Sequence, residues 1–279
     1  MGLRGVASNI DLGEETIGAA NILYRERAGI RSASIPLLFQ YYGPLFFENE
    51  TGGARWEQFE RELATQSDFA YLSLPPKTIG REWVSPAWRI ICARTIVVDA
   101  DGLKRWGCRF RDDVKNKINK AKRERVVVTT AESLPQEIWR APFLRRRISS
   151  PIEPEMLARW CRVLIENSLL KIYVASIDSM IVAFRGELIF GEYAYDWIAG
   201  SEPAFHPTGV NQMLMGEIGE DLSKSSVRTW DLIGGDIQAI ADFKKSFGAI
   251  EMEHLRLYRS FNLRGLLFKV VRNFRHGNQ

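Results

Sequence analysis

The sequence is short of long apolar runs and of cysteine, and each shortage excludes a class of protein. Its apolar runs, such as Ile35–Leu38 and Ile96–Val98, fall far short of the roughly 20 residues that a transmembrane helix needs. Cys92, Cys108 and Cys161 are widely spaced and form no CxxC pair. We therefore expect neither a membrane span nor a disulfide scaffold. The N-terminus has no apolar signal region, and a reduced cytoplasmic protein is the simplest interpretation.

Familiar catalytic motifs are also missing. His206, His254 and His276 lie far apart and in no HExxH or HxH context, so no metal site is predicted. There is no GxSxG nucleophile elbow and no GxxxxGK[ST] phosphate loop. Gly234-Gly235-Asp236 follows a predicted strand but lacks the full dinucleotide fingerprint. A turn in which glycine supplies a positive φ explains it more simply.

Basic residues are plentiful and clustered. The 279 residues carry a net charge of +4 and an ordinary globular composition, enough for about two domains. Between Lys104 and Arg125 lie ten basic residues against three acidic ones, and Arg145–Arg147 form a second cluster. Such stretches favour phosphates, tRNA, nucleotide-linked substrates or an anionic membrane surface. A solvated helix face is the alternative explanation.

Hydrophobic periodicity predicts the order of helices and strands. The first third is strand-rich, with a hairpin over Ile17–Arg25 and Ile30–Ser34, and a helix over Ala54–Gln66. After a basic helix, Arg111–Glu124, the prediction is a strand (126–130), two helices (134–147, 153–167), three strands (171–177, 180–188, 190–198), a helix (209–222), a strand (228–232), a helix (237–247) and a strand (252–259). We place a domain boundary between residues 1–110 and 111–279.

This order, together with three motifs, resembles one superfamily. Arg111–Lys122 resembles the basic helix that opens the second domain of Fem-type (FemABX-like) peptidyltransferases. Asp231–Asp236 followed by Phe243–Gly248 is similar to the family's "DLGG…FKxxFG" ending. Tyr42-Gly43-Pro44 looks like its "YxGP" segment. The resemblance implies an α+β, GNAT-like acyltransferase fold, with a truncated first GNAT-like domain (1–110) and a complete second, catalytic one (111–279).

The same resemblance implies an N-acyltransferase. Such an enzyme moves an aminoacyl or acyl group from an activated ester or thioester to a substrate amine, here with a cell-wall precursor as one candidate acceptor. No tightly bound cofactor is implied, and aminoacyl-tRNA or acyl-CoA would be the cosubstrate. Two alternatives remain open: a coenzyme A-dependent N-acetyltransferase of small molecules or proteins, and a non-catalytic module that binds RNA or a membrane. The oligomeric state cannot be predicted.

Three residues are the catalytic candidates under this resemblance. Lys244, anchored between Phe243 and Phe247, would stabilise the negative charge of the acyl transition state. We expect its replacement to lower turnover with little effect on stability. Tyr195 would donate a proton to the leaving group, with Tyr193 on the same face of the strand as the alternative donor. Asp231 would hold the active-site turn. Each also has a purely structural explanation, as a surface lysine, a wall aromatic or a cap.

Two groups of binding residues are also implied. The donor would meet the N-terminus of the helix that begins at Gly209, Val210 and Asn211, together with Lys245. Because His206–Asn211 matches the usual phosphate loop poorly and contains Pro207, we expect weak binding of acetyl-coenzyme A. The alternative is a simple helix start with Thr208 as its cap. Phosphate or another anionic, nucleotide-linked substrate would meet the residues Arg111, Lys115, Lys122 and Tyr42.

The C-terminal segment predicts one more partner. Leu263–Phe274 has leucine, valine and phenylalanine at helical spacing, with arginine and lysine on the other face. A basic amphipathic helix of this kind can lie on an anionic membrane, which would place the protein at the inner membrane surface. A helix docked on its own domain is the alternative. Equal flotation of the full chain and of a chain truncated at Ser260 with anionic vesicles would rule out the membrane contact.

Overall fold

The computed structural model describes residues 3–12, 15–27, 29–34, 38, 40–41, 45–46, 52–76 and 80–267. The chain divides into two compact units. Unit 1 comprises residues 1–93 and 253–279, and unit 2 comprises residues 94–252. None of the described helices has the length and apolar character needed to cross a membrane.

Unit 1 contains a sheet and one long helix. Its elements are β1 (Leu3–Leu12), β2 (Glu15–Arg27), β3 (Ile30–Ser34), β4 (Leu45–Phe46), α1 (Gly52–Gln66) and β5 (Phe69–Ser73), with most of β12 (Ile250–Ser260). The strand order is β1-β2-β3-β5-β12, and β4 pairs with β2. Trp56, Phe59 and Leu63 recur at helical spacing on α1 and are buried in the core of this unit.

Unit 2 is built on a second set of strands. Its elements are the end of β6 (Arg89–Val98), α2 (Ala100–Lys104), α3 (Asp112–Arg123), β7 (Val127–Ala131), α4 (Gln136–Arg146), α5 (Pro154–Glu166), β8 (Leu170–Ile177), β9 (Met180–Phe190), β10 (Tyr193–Ser201), α6 (Val210–Ser223), β11 (Thr229–Asp231) and α7 (Gln238–Lys245). The strand order is β6-β11-β10-β9-β8-β7. Strands β8, β9 and β10 are antiparallel neighbours, whereas β10 and β11 are parallel.

Helix α6 is buried along most of its length and is fixed by a tryptophan. Trp106 donates its indole N–H to the Gly216 carbonyl at 2.9 Å. A Cβ on Gly219 would overlap the Trp106 ring, so glycine is needed there. The same ring lies against Phe110, Trp230 and Phe247. The core of unit 2 therefore connects α6 to β11 and to the residues after α7.

The predicted elements from the hairpin onward are confirmed, most of them to within about two residues. The hairpin is β2 and β3. The sequence also predicts a turn at Asp178-Ser179, between two strands, and both residues have positive φ. Three of the elements named above were missed: β1, β4 and the short α2. The sequence predicts one apolar stripe on α5, formed by Met156, Leu157, Trp160, Val163 and Leu164. This prediction is partly wrong, because Leu157 is buried but Met156 and Val163 are about half exposed. These two residues flank the buried face that Leu157 and Cys161 define at a spacing of four.

The domain boundary lies elsewhere than predicted. Residue 110 falls inside unit 2, and residues 253–279, which were predicted with the second domain, fall in unit 1. The reason is strand pairing: Arg256–Ser260 pairs antiparallel with β5, which lies far back in the sequence. That the first domain is a truncated GNAT-like domain stays a prediction. Of the predicted C-terminal helix, residues 263–267 are helical, and residues 268–274 lie outside the described residues.

Candidate functional site

Strands β10 and β11 pair over only three residues and then separate. Their parallel pairing ends at Tyr195 and Asp231. β11 stops there, whereas β10 continues along β9 with a register shift between Asp196 and Ile198. Such a bulge bends a strand and increases its twist. The end of the paired region is therefore a place where side chains and backbone groups of two diverging strands are available to a ligand.

Lys244 places its ammonium group between these two strands. Its Nζ donates to Asp196 Oδ2 on β10 at 2.9 Å, to the Leu232 carbonyl just after β11, and to the Ile233 carbonyl at 3.4 Å. An ammonium group has three protons, so these partners account for all of them. Lys244 is 6% exposed. Lys244 is therefore not a surface lysine, and because its replacement would break a buried ion pair, we expect that replacement to lower stability as well as turnover.

Asp196 accepts from two buried cations. Arg185 Nη1 lies 2.5 Å from Asp196 Oδ2, the oxygen that also binds Lys244. Burial alone would raise the pKa of Asp196, but the charges of Arg185 and Lys244 and their hydrogen bonds hold that pKa below its usual range. Asp196 is thus ionised at neutral pH, and it connects β9, β10 and α7.

Glu187 lies beside this group with the opposite protonation. It is directly opposite Asp196 in the pairing of β9 with β10, it is fully buried, and Trp230 Nε1 donates to its Oε2 at 2.7 Å. Burial and the negative charge of Asp196 raise the pKa of Glu187 to about 8, although nearby Arg185 and Lys244 act to lower that pKa. Glu187 therefore carries its proton at neutral pH.

The turn after β11 is held by Asp231. Its Oδ1 accepts the Ile233 N–H at 2.8 Å and the Thr95 hydroxyl at 2.5 Å. Ile233 and Gly234 both have positive φ, and a Cβ on Gly235 would come 2.5 Å from the carbonyl oxygen of Arg94. The structure thus agrees with the predicted glycine turn and with the turn-holding position of Asp231. A catalytic role for Asp231 stays a prediction.

Tyr195 is the better placed of the two tyrosines on β10. Tyr193 is 52% exposed at the start of the strand, whereas Tyr195 is opposite Asp231 at the last parallel pair. Burial, with a smaller contribution from the negative charge of Asp231, raises the pKa of Tyr195 to about 12. Its hydroxyl keeps its proton at physiological pH and can donate a hydrogen bond.

The start of α6 is covered by α3. Gly209 has φ of +88°, and a Cβ there would overlap the Lys117 carbonyl. Gly209 and Val210 are buried, while Asn211 is partly exposed. The alternative of Thr208 as the cap is not correct, since its hydroxyl donates to the Phe205 carbonyl and Gly209 occupies the cap position. Packing against α3 accounts for Gly209, and the described burial does not favour a donor phosphate at Gly209 and Val210.

The basic helix α3 presents its cations to solvent. Arg111 pairs with Asp113 at 2.9 Å, and Lys115 lies 3.5 Å from Asp112. Lys117, Lys120, Lys122 and Arg123 have no ion-pair partner among the residues that the structure describes. α3 packs on α6, and its contact with the predicted donor-binding segment is made by the backbone of Lys117 at Gly209. Tyr42 lies outside the described residues.

Lys245 is separate from the Lys244 cluster. It pairs with Glu251, which Arg94 also approaches at 3.5 Å. The hydrogen bond and charge of Lys245 lower the pKa of Glu251. Its donor-binding role stays a prediction. Helical spacing also predicts that Lys245 turns further outward than Lys244, and the partial exposure of Lys245 confirms this.

Sequence reasoning missed the two charged residues of β9. Arg185 and Glu187 are two residues apart on β9, so both side chains lie on the same face of a strand that is otherwise apolar. Charged residues at this spacing normally indicate a solvent-exposed face. One signal for this buried cluster was present in the sequence. Asp196 lies on the next strand, and its negative charge can reach Arg185 across an antiparallel strand pair. Within the described ranges, no group of three or more histidine, cysteine, aspartate or glutamate side chains is placed to hold a metal ion.

Residues 109–245 match the family model described as an acetyltransferase (GNAT) domain. No curated protein sequence matches the chain. The match covers α3, the separating strands β10 and β11, and α7 through Lys245. The GNAT-type domain that the resemblance implied is thus confirmed.

Solved structures share the fold at low sequence identity. A crystal structure of FemX has a TM-score of 0.71 and 10% identity, over 97% of this chain and 90% of FemX. The C-terminal domain of a putative lysylphosphatidylglycerol synthetase from Agrobacterium fabrum has a TM-score of 0.62 and 12% identity, over 90% and 84%. L-PGS from Bacillus licheniformis has a TM-score of 0.59 and 12% identity, over 93% and 86%. These similarities confirm the GNAT-like fold with mixed helices and strands.

Proposed function

We propose that this chain, in which residues 109–245 match an acetyltransferase (GNAT) domain, transfers an aminoacyl or acyl group to the amine of an anionic precursor. The precursor would be nucleotide-linked or lipid-linked, as in cell-wall synthesis. The name of one structural neighbour, lysylphosphatidylglycerol synthetase, indicates an aminoacyl group on a lipid. That name supports the same class of reaction here.

The position of Lys244 between β10 and β11 carries the proposal. Attack by an amine on an ester or thioester gathers negative charge on the carbonyl oxygen, and a fixed cation stabilises it. Of the three partners of Lys244, the Ile233 carbonyl is the most distant, at 3.4 Å, and its hydrogen bond is correspondingly weak. A substrate oxygen can replace that partner while Asp196 still holds the ammonium group in place.

Tyr195 would supply the proton that the reaction needs. The leaving oxygen or sulfur of the donor becomes basic as its bond to the acyl carbon breaks. A protonated phenol beside it can give its proton to that atom, and the resulting phenolate can take up the proton that the attacking amine releases as the new C–N bond forms. Burial raises the pKa of Tyr195 to about 12, which supports a protonated phenol before the reaction.

The donor is proposed to be an aminoacyl ester on tRNA rather than acyl-coenzyme A. In most GNAT-type sites the coenzyme phosphates would need free N–H groups at the start of the helix after the fourth strand. Here that start is buried against α3 at Gly209 and Val210. The exposed cations of α3 instead offer a surface for the phosphates of a nucleic acid.

Acyl transfer by the purified protein tests the proposal. We expect transfer from aminoacyl-tRNA to an amine acceptor, and a fall of about 100-fold or more in kcat for Lys244→Met, which corresponds to the loss of an oxyanion-stabilising donor. Thermal unfolding must be followed in parallel, because Lys244 is buried. Lys224→Met, at an exposed lysine outside the predicted site, is the matched control and should keep its turnover.

Three results would contradict the proposal. Equal losses for the two lysine variants would indicate a general charge effect. Activity with acetyl-coenzyme A alone would favour the coenzyme A-dependent alternative. No transfer with any donor, despite tight binding of RNA or vesicles, would favour a non-catalytic module.

A further inference from the structure

Two buried carboxyl groups face each other across β9 and β10. Glu187 and Asp196 are direct partners in the antiparallel register. Side chains of such partners lie on one face of the sheet, with Cβ atoms about 4.5–5.5 Å apart. Glu187 is 0% exposed and Asp196 is 7% exposed. Two ionised carboxylates at this separation and burial would repel each other strongly.

In each carboxyl group one oxygen accepts a hydrogen bond, and the other has no partner among the described residues. Asp196 Oδ2 accepts from Arg185 and Lys244, and Glu187 Oε2 accepts from Trp230. Asp196 Oδ1 and Glu187 Oε1 are both buried without a hydrogen-bond partner among the described residues. A buried polar atom left unpaired is costly, and two of them on facing residues indicate a common explanation.

We propose that Glu187 and Asp196 share a proton, held by Glu187 on Oε1 and donated to Asp196 Oδ1, and that Glu187 thereby acts as a positioning residue for Lys244. This one proton satisfies both unpaired oxygens. Its catalytic consequence rests on the proposed function, whereas the proton itself does not.

The surroundings decide which group carries the proton. Asp196 receives both cations, Arg185 and Lys244, so its charge is stabilised. Glu187 receives only a neutral indole N–H, and the raised pKa of about 8 agrees with this assignment. The proton therefore resides on Glu187.

Other charged groups face Glu187 from β8 and α6. Lys171 is the partner of Glu187 on β8 but binds Asp221 of α6 at 2.6 Å. Tyr173 also donates to Asp221, and burial holds its pKa above the usual range. Neither Lys171 nor Tyr173 therefore supplies a counter-charge that Glu187 would need in order to ionise.

The shared proton has a direct consequence for Lys244. While Glu187 is neutral, Asp196 is the sole carboxylate among the described residues that binds Lys244. Above about pH 8 Glu187 ionises, and a second negative charge then competes for the ammonium group. Lys244 would move away from the Leu232 and Ile233 carbonyls, so kcat should fall while KM changes little.

Infrared difference spectroscopy in D2O tests the proton without any assay of activity. We expect the wild-type protein at pH 6 to show the carbonyl band of a buried protonated carboxylic acid. That band should disappear on titration through about pH 8, and Glu187→Gln should lack it. Glu217→Gln, on the exposed face of α6, is the matched control and should keep it. A spectrum in which wild type and Glu187→Gln do not differ would overturn the proposal, and would mean that buried water satisfies the two oxygens.

The pH profile of transfer tests the positioning role. The wild type and Glu217→Gln should lose kcat by up to about tenfold per pH unit above pH 8, and Glu187→Gln should lack this alkaline fall. An unchanged alkaline fall in Glu187→Gln would overturn the role of Glu187. No transfer by any variant, with the infrared band present, would contradict the proposed function and leave the shared proton intact.

Discussion

Two clusters of charge in unit 2 follow different rules. On α3 the cations are exposed, and those ion pairs that form, such as Arg111–Asp113, are open to solvent. Between β9, β10 and α7 the charged side chains of Arg185, Asp196 and Lys244 are at most 10% exposed. Exposed pairs contribute little to stability, whereas breaking a buried pair leaves an uncompensated charge. The exposed cluster is thus suited to recognising a partner, and the buried one to fixing geometry.

Removing the carboxylate from the buried cluster should have the largest effect. Asp196→Ala leaves Arg185 and Lys244 without their shared acceptor, so we expect the free energy of unfolding to fall by about 3–5 kcal/mol. Denaturant titration measures this. Asp113→Ala, which breaks the exposed pair on α3, should cost no more than about 1 kcal/mol. Similar losses for the two variants would remove the distinction between the clusters.

A smaller effect is expected where α3 meets α6. Gly209→Ala puts a Cβ into the Lys117 carbonyl at a positive φ, so we expect a loss of stability of about 2–3 kcal/mol. Gly107→Ala is a matched control: its φ is also positive, at +86°, but nothing lies within 4 Å of the added atom. It should lose only the cost of the backbone conformation, about 1 kcal/mol. If Gly209→Ala lowers the free energy of unfolding by less than Gly107→Ala does, the Lys117 carbonyl is not in tight contact with Gly209.

The exposed cluster should affect binding but hardly stability. The triple variant Lys117→Gln, Lys120→Gln and Lys122→Gln should unfold within about 0.5 kcal/mol of the wild type per site. Its tRNA affinity should fall, and the slope of log K against log salt should decrease by about 2–3. Fluorescence anisotropy at several salt concentrations gives both values. An unchanged slope would show that α3 does not contact phosphates.

Most elements were predictable because their apolar residues recur with a clear period, as Val114 and Ala121 do on α3. The buried cluster could not be predicted, because Arg185 and Glu187 in a strand form a pattern typical of a solvent-facing surface until the partner strand is known. Lys244 could be placed beside Phe243 and Phe247 from spacing alone. Its burial depends on Asp196, 48 residues earlier, and no local pattern contains such a contact.

Two glycines also show which features can be predicted from the sequence and which cannot. Gly209 was interpreted as an approach point for a donor, yet its neighbour is the backbone of Lys117. The motif around Gly234 was interpreted correctly as a turn, because the positive φ that it needs is a local property. A glycine that is required by packing against a distant segment, such as Gly209, looks the same in the sequence. Its reason cannot be read from sequence spacing.

The two glycine contacts of α6 also determine how this helix tolerates changes in length. Lys117 abuts it at Gly209, and Trp106 fits over it at Gly219, ten residues and about 15 Å along the axis. One residue inserted between them would turn one contact by about 100° relative to the other. A side chain would then replace a glycine under Trp106 or under Lys117. The segment between the two glycines therefore has a fixed length, and an insertion or deletion within it would disrupt one of the two contacts.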